Sequence, residues 1–273
     1  MIFDLDIEEL RAAFGNAPFL VGHRLPGHPL FELPRLVELA RRLPASQVEY
    51  NPGDLPVSQD PARTPRNGLS ADDTIRRIET CRSWLVLKDV QTAPGYAGLF
   101  ARCLAEIRAS GSFRYMTDGA AFIFVSSPGA VTPYHMDPEE NFLLQVRGRK
   151  TMHVWDAADR TVLSEQELER FFTGAHRNLA FKESYQAKAR SFELHPGSGV
   201  HVPLTAPHWV MNGPEVSVSF SITFQTRASQ RRTQAHRVNA RLRRWGLEPF
   251  PVGRSALRDG LKQLAYRISA RVA

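Results

Sequence analysis

Cysteine is nearly absent: the chain of 273 residues has two, Cys81 and Cys103. Neither sits in CxxC spacing or beside companion histidines, so a disulfide framework and a cysteine zinc site are excluded, and both read as reduced core residues. Long hydrophobic runs are missing too. No stretch reaches the roughly 18 apolar residues that would span a bilayer. The start, MIFDLDIEEL, is acidic where a secretion signal would be basic and then apolar, so the expected location is cytoplasmic. No internal repeat is apparent, and the length suits one large domain or a core with appendages. Acidic residues are scarce in one place only. From residue 225 onwards there are 12 Lys+Arg against 2 Asp+Glu, so the net charge of +7 belongs to the tail and the preceding 224 residues carry −3.

What is present falls into three regions. Residues 1–118 read as a helical and strand region packing on a core. FELPRLVELARRLP (31–44) has helical spacing and stops at Pro44. Residues 51–69 are rich in Pro, Gly, Asn and Asp and form a long loop of the kind that borders function. Ser70 caps ADDTIRRIET, SWLVLKDV (83–90) reads as a strand and GYAGLFARCLAEIRAS (95–110) as a helix. Residues 119–226 read as the β core, beginning with GAAFIFVSS. Short β runs follow, with a helical insertion near 156–190 in which Ser164 and Glu167 have capping-box spacing. In the last run, Val216, Val218, Phe220, Ile222 and Phe224 alternate with Ser217, Ser219, Ser221 and Thr223, and the polar face is expected to line the lumen. Residues 227–273 form a basic tail of two helices, with Leu257, Leu261, Leu264 and Ile268 at helical spacing in the second. Helices followed by such a β run predict an α+β protein built around a sandwich or barrel.

The chemistry concentrates in VTPYHMDPEENFLLQVRGRK (131–150). In an extended segment His135 and Asp137 point to one side. That pair alone is weak evidence. His208, just after a turn in GSGVHVPLTAPHWVMNG, would complete a two-histidine, one-carboxylate facial triad, which suits Fe(II) and leaves positions open for substrate and dioxygen. His201 alternates with Val200 and Val202 and reads as a strand residue instead. An oxygenase using 2-oxoglutarate also needs a buried cation for the far carboxylate of that co-substrate. Lys150 can supply it if the turn around RGR brings the next strand back beside the first. The bland alternative is a solvated lysine.

TPYHMDPEENFLLQVRGRK resembles the core of the JmjC/cupin-like 2-oxoglutarate oxygenases, closest in spacing to their asparaginyl-hydroxylase branch. The later GSGVHVPLTAPHWV is similar to the family segment carrying the distal histidine. The resemblance covers roughly 120–226 and implies a double-stranded β-helix, or jelly-roll, core. It implies Fe(II) held by His135, Asp137 and His208, with 2-oxoglutarate and O2 as co-substrates. Thr132, Asn141 and Lys150 stand at the family's co-substrate offsets. Ser221 stands where the family has an asparagine, and Tyr115 is the candidate for the family's tyrosine. The reaction implied is oxidative decarboxylation to succinate and CO2 coupled to hydroxylation of a C–H bond.

The expected substrate is a protein or peptide side chain. Alternatives are hydroxylation of a small molecule, N-methyl-lysine demethylation, or a cupin that binds without catalysis. The tail suggests a homodimer through its helices, or an anionic partner such as nucleic acid or a membrane surface.

Overall fold

Strand alternation builds most of the protein. The computed structural model describes residues 1–65, 67–110 and 115–272. The N-terminal region holds β1 (Phe3–Asp4), α1 (Ile7–Ala13), β2 (Phe19–His23), α2 (Leu33–Arg42), β3 (Val48–Pro52), α3 (Ala71–Arg76), β4 (Ser83–Leu87) and α4 (Tyr96–Ala109). The core follows with β5 (Met116–Ser126), β6 (Val131–His135), β7 (Glu140–Arg147), β8 (Lys150–Val154), α5 (Glu165–Phe172), β9 (Arg190–Leu194), β10 (Ser198–Val202), β11 (His208–Asn212) and β12 (Ser217–Thr226). The tail is α6 (Arg227–Arg244) and α7 (Ala256–Val272).

Core strands β5 to β12 divide between two antiparallel sheets, as in a jelly roll. One is β6-β11-β8-β9. The other contains β10-β7-β12-β5, extended by β2 and β1 at one edge and by β4 and β3 at the other. The N-terminal region therefore does more than pack on the core, since its strands continue the large sheet. Between the sheets lie Leu143, Val200 and Val202 from one side and Met152, Val154, Phe192, Leu194 and Val210 from the other. The apolar residues of β12 point the opposite way. Phe220, Ile222 and Phe224 join Leu10, Leu36, Ile75, Tyr96 and Leu99 in a cluster that seats the N-terminal helices. Full burial of such side chains contributes about 1.5–3 kcal/mol each, and this cluster fixes the helices on the sheet.

Several local signals hold. Ser70 Oγ accepts from the Asp73 N–H, and Ser164 and Glu167 form a reciprocal capping box. Cys103 is buried, Cys81 is partly buried, and both are free. The 51–69 loop starts later than its composition suggests, because Asn51 and Pro52 finish β3 opposite Trp84 and Ser83; Arg66 of that loop lies outside the described residues.

One expectation is overturned. Strand β8 does not return beside β7; the chain leaves the large sheet after Arg147 and enters the small sheet at Lys150. Gly148 makes this corner possible. Its φ is +68°, and a Cβ there would lie 2.4 Å from the Val216 carbonyl oxygen. Gln145 Nε2 ties the corner down by donating to the carbonyls of Arg147 (2.6 Å) and Gly148 (3.0 Å).

Candidate metal centre

His135 ends β6, and His208 begins β11 directly opposite it. Their ring centroids are 4.1 Å apart. Asp137 lies two residues beyond the end of β6, and its Oδ2 is 3.7 Å from His135 Nε2 and 3.5 Å from His208 Nε2. One ligand atom from each of the three lies within 4.8 Å of the others. Extended alternation predicts this convergence, but backbone contacts beyond the strand secure it. The Met136 N–H donates to the Arg177 carbonyl, and the Asp137 carbonyl accepts from the Thr205 N–H at 2.9 Å.

The outer atoms are already committed. His135 Nδ1 donates to the Pro133 carbonyl at 2.6 Å and His208 Nδ1 to the Ala206 carbonyl at 2.9 Å, which leaves both Nε2 lone pairs facing the carboxylate. Arg177 Nη1 donates to Asp137 Oδ1 at 3.0 Å, so Oδ2 is the oxygen turned toward the histidines. Burial is the main cause that holds both imidazoles below their ordinary pKa, His135 far below it. Burial alone would raise the Asp137 carboxyl, but Arg177 and the adjacent imidazoles bring it to about 2. Two neutral imidazoles and one carboxylate fit a divalent metal of the imidazole-and-oxygen class.

A bulge widens the site. His208 pairs with His135, yet Val210 pairs with Thr132, so β6 has one extra residue. Pro133 falls in that bulge, where its missing N–H removes no ladder bond. Both Thr132 and His135 thereby face one narrow cavity. Pairs two residues apart complete its walls: Phe124 and Ser126, Asn141 and Leu143, Lys150 and Met152, His208 and Val210, with Asp137 and Arg177 beside them.

Lys150 is 6% exposed, and among the described residues no carboxylate or hydrogen-bond acceptor pairs with it. Burial takes its pKa from 10.5 to about 7. A buried ammonium without a partner is costly, and an anion in the cavity relieves that cost. Asn141 lines the cavity while its Oδ1 accepts from Ser221 Oγ at 2.8 Å, which leaves the amide N–H groups as donors. Ser221 thus acts on the site through Asn141. The polar face of β12 is inward as expected, with Ser219 Oγ also bonded to Gln145 Oε1 at 2.6 Å.

Tyr115 must be removed from the site. It is 53% exposed, and the Arg227 guanidinium covers its ring at 3.5 Å. His201 lies outside this cluster, on the helix-covered face of β10. It stacks against Phe14, Phe19 and Phe142, and its Nδ1 donates to the Asn141 carbonyl at 3.1 Å. Arg177, Phe124, Ser126, Leu143, Met152 and Val210 escape sequence reading. Period-two spacing from Asn141, Lys150 and His208 could have found Leu143, Met152 and Val210; Phe124 and Ser126 lie on β5, which carries no recognised residue, and Arg177 comes from an irregular segment beside β6.

A second cleft, of about 510 Å³, meets the narrow cavity at Phe124 and Arg177. Its walls include Pro61 and Thr64 of the 51–69 loop, with Glu49, Lys88, His176 and Asn178.

The model of the Cupin-like domain matches residues 85–239, more than half of the chain. The chain belongs to the Cupin-like domain family. Among curated relatives of this Cupin-like chain is "Lysine-specific demethylase 8" of Danio rerio. It is 28% identical over 102 residues, covering 35% of this chain and 24% of the relative. The protein of the same name from Xenopus tropicalis matches equally, over 22% of its length. The match thus spans about a quarter of these relatives. Among solved structures, E. coli ycfD has a TM-score of 0.58 at 15% identity, covering 99% of this chain and 69% of that one. The E. coli ribosomal oxygenase YcfD in complex with cobalt and 2-oxoglutarate has a TM-score of 0.51 at 15% identity, covering 98% and 67%. At this identity the likeness supports the shared jelly-roll fold.

Proposed function

We propose that this Cupin-like protein is an Fe(II)- and 2-oxoglutarate-dependent oxygenase that hydroxylates a protein or peptide side chain. One observation carries the reading: the His135–Asp137–His208 cluster, with both histidines buried and Asp137 partly so, and an unpaired, buried Lys150 share a single cavity. The triad would hold Fe(II), which when bound supplies activation of dioxygen and coupled decarboxylation of 2-oxoglutarate. Lys150 binds the far carboxylate of the co-substrate, with Thr132 and the Asn141 amide as hydrogen-bond donors and Ser221 fixing the orientation of Asn141. Arg177 keeps Asp137 ionised and correctly turned. Phe124, Leu143, Met152 and Val210 keep water from the reacting carbon.

The cleft beside the site, bordered by the 51–69 loop, is wide enough for a side chain on a polypeptide. A protein substrate also agrees with the solved neighbour named a ribosomal oxygenase. Hydroxylation of a small molecule and N-methyl-lysine demethylation use the same centre and are the alternatives, the second matching the name of the curated relatives. No helix among the described residues is long and apolar enough to cross a membrane, and cytoplasmic action fits this reading.

We read the tail as a homodimer contact. Leu257, Leu261, Leu264 and Ile268 are exposed along one stripe of α7. Several α6 arginines are engaged internally: Arg237 with Tyr266 and the Phe172 carbonyl, Arg241 with Ser269, and Arg243 with Glu169. These contacts disfavour an anionic partner for that face.

Purified protein supplied with Fe(II), O2 and 2-oxoglutarate should release succinate. Absence of succinate, together with absence of metal and 2-oxoglutarate binding, would leave a non-catalytic binding protein as the function.

A further inference from the structure

A separate cavity, of about 400 Å³, takes no part in this chemistry. Its wall brings together Arg160, Glu165, Thr205, Arg232, His236 and Arg254, which are far apart in sequence. The two acids that line it are engaged within the protein. Asp156 accepts from the Ala158 N–H at 2.7 Å, and Glu165 Oε1 accepts from Arg160 Nε at 2.5 Å. Among the described residues Arg232 donates once, to the Gly15 carbonyl at 3.1 Å. Arg254 has no hydrogen-bond or ion-pair partner among the described residues.

Two buried atoms in the wall are also unsatisfied. His236 is 5% exposed, and among the described residues neither its Nδ1 nor Glu165 Oε2, 3.7 Å away, has a hydrogen-bond partner. Buried polar atoms in native proteins are nearly always partnered, so a bridging oxygen, from water or from a ligand, is expected beside the pair. A hydroxyl meets the need, because it accepts from an imidazole N–H and donates to a carboxylate. Burial first, then Arg160, Lys262 and Arg232, lower the His236 pKa to about 3, so the ring is neutral in a positive surrounding.

The geometry points to a second ligand site, for a small hydroxylated anion. Its phosphate or carboxylate group pairs with Arg232 and Arg254, and its hydroxyl bridges His236 and Glu165. Guanidinium groups recognise both kinds of oxygen in the same forked manner, and the volume suits a small molecule. Thr205, in the wall, donates its N–H to the Asp137 carbonyl, so the site abuts the metal-site loop.

Calorimetric titration of the full chain with glycerol 3-phosphate, malate and inorganic phosphate tests this. Glycerol 3-phosphate or malate should bind saturably at one site and more tightly than inorganic phosphate. Preference for the ester assigns a phosphoryl group, and preference for the hydroxy acid assigns a carboxylate. Arg254→Ala and Arg232→Ala should each weaken binding about tenfold, while Lys150→Met leaves it unchanged. Binding by none of the three, binding indifferent to both arginines, or binding lost in Lys150→Met would overturn the assignment.

Discussion

The helix-covered face of the large sheet and the inner face of the small sheet bury histidines in opposite ways. On the helix-covered face, His201 is fully buried among Phe14, Phe19 and Phe142 with the Glu140 carboxylate 3.5 Å from Nε2, and both ring nitrogens are occupied: Nδ1 by the Asn141 carbonyl and Nε2 by the Gly15 N–H at 3.4 Å. On the inner face, His135 and His208 are equally buried, but each uses only Nδ1 on the backbone and turns Nε2 to a shared carboxylate. All three are held neutral chiefly by burial. Burial and protonation therefore do not separate a ligand from a packing residue. The second nitrogen does, because a buried nitrogen without a protein partner is available to something else. Asn141 joins the two regions: its carbonyl completes His201, and its side chain lines the metal cavity.

Substitutions can break this contrast, and the largest effect is expected at the triad. His208→Ala should reduce Co(II) or Fe(II) affinity by more than the roughly 10–100-fold typical of losing an outer partner. An equilibrium metal titration in which His208→Ala bound like the wild type would remove it from the ligand set.

Lys150→Met should weaken 2-oxoglutarate binding about 10–100-fold, the equivalent of one charged hydrogen bond. The melting temperature of the ligand-free protein should not fall, because the change deletes a buried, unpaired charge. The pH dependence follows from the depressed pKa, about 7 when folded against 10.5 ordinarily. Ligand-free stability should rise between these values as the unfolded chain holds the extra proton. Affinity for 2-oxoglutarate should fall above pH 7, by up to about tenfold per pH unit, as the ammonium is lost. Binding that is flat with pH in the wild type, or equally pH-dependent in Lys150→Met, would discount the anchor.

Arg177→Ala should cost about 10–100-fold in metal affinity, since it frees Asp137 to turn and raises its pKa. Arg177→Lys should recover part of this, and no recovery would argue against an electrostatic role. The smallest effect on the metal is expected from His201→Phe, which should lower stability by about 1–3 kcal/mol in denaturant unfolding and leave metal binding intact. Lost metal binding in a folded His201→Phe protein would erase the distinction between the two faces.

How far these features are legible in sequence depends on their range. The HxD pair, the distal His208 and the alternation of β12 are local patterns, and each points to residues that the fold brings together at or beside the cavity. Lys150 is reached for an incomplete reason, because the RGR segment turns a corner between sheets and does not close a hairpin; the conformation of Gly148 decides this. Arg177 has no local signal, since its role depends on a loop more than 30 residues from Asp137 folding beside β6. Tyr115 matches the family by residue type alone, and nothing in its neighbours turns it inward. Thr132 faces the cavity because of a bulge that only the pairing of β6 with β11 reveals.

The central claim is that the triad and Lys150 form one site. Titration of 2-oxoglutarate into the protein with and without Co(II), in the absence of turnover, tests it most directly. One-to-one binding that requires the metal, and that Lys150→Met and His208→Ala each impair, is the predicted result. Binding that ignores the metal, or its absence from the metal-loaded protein, would contradict the account.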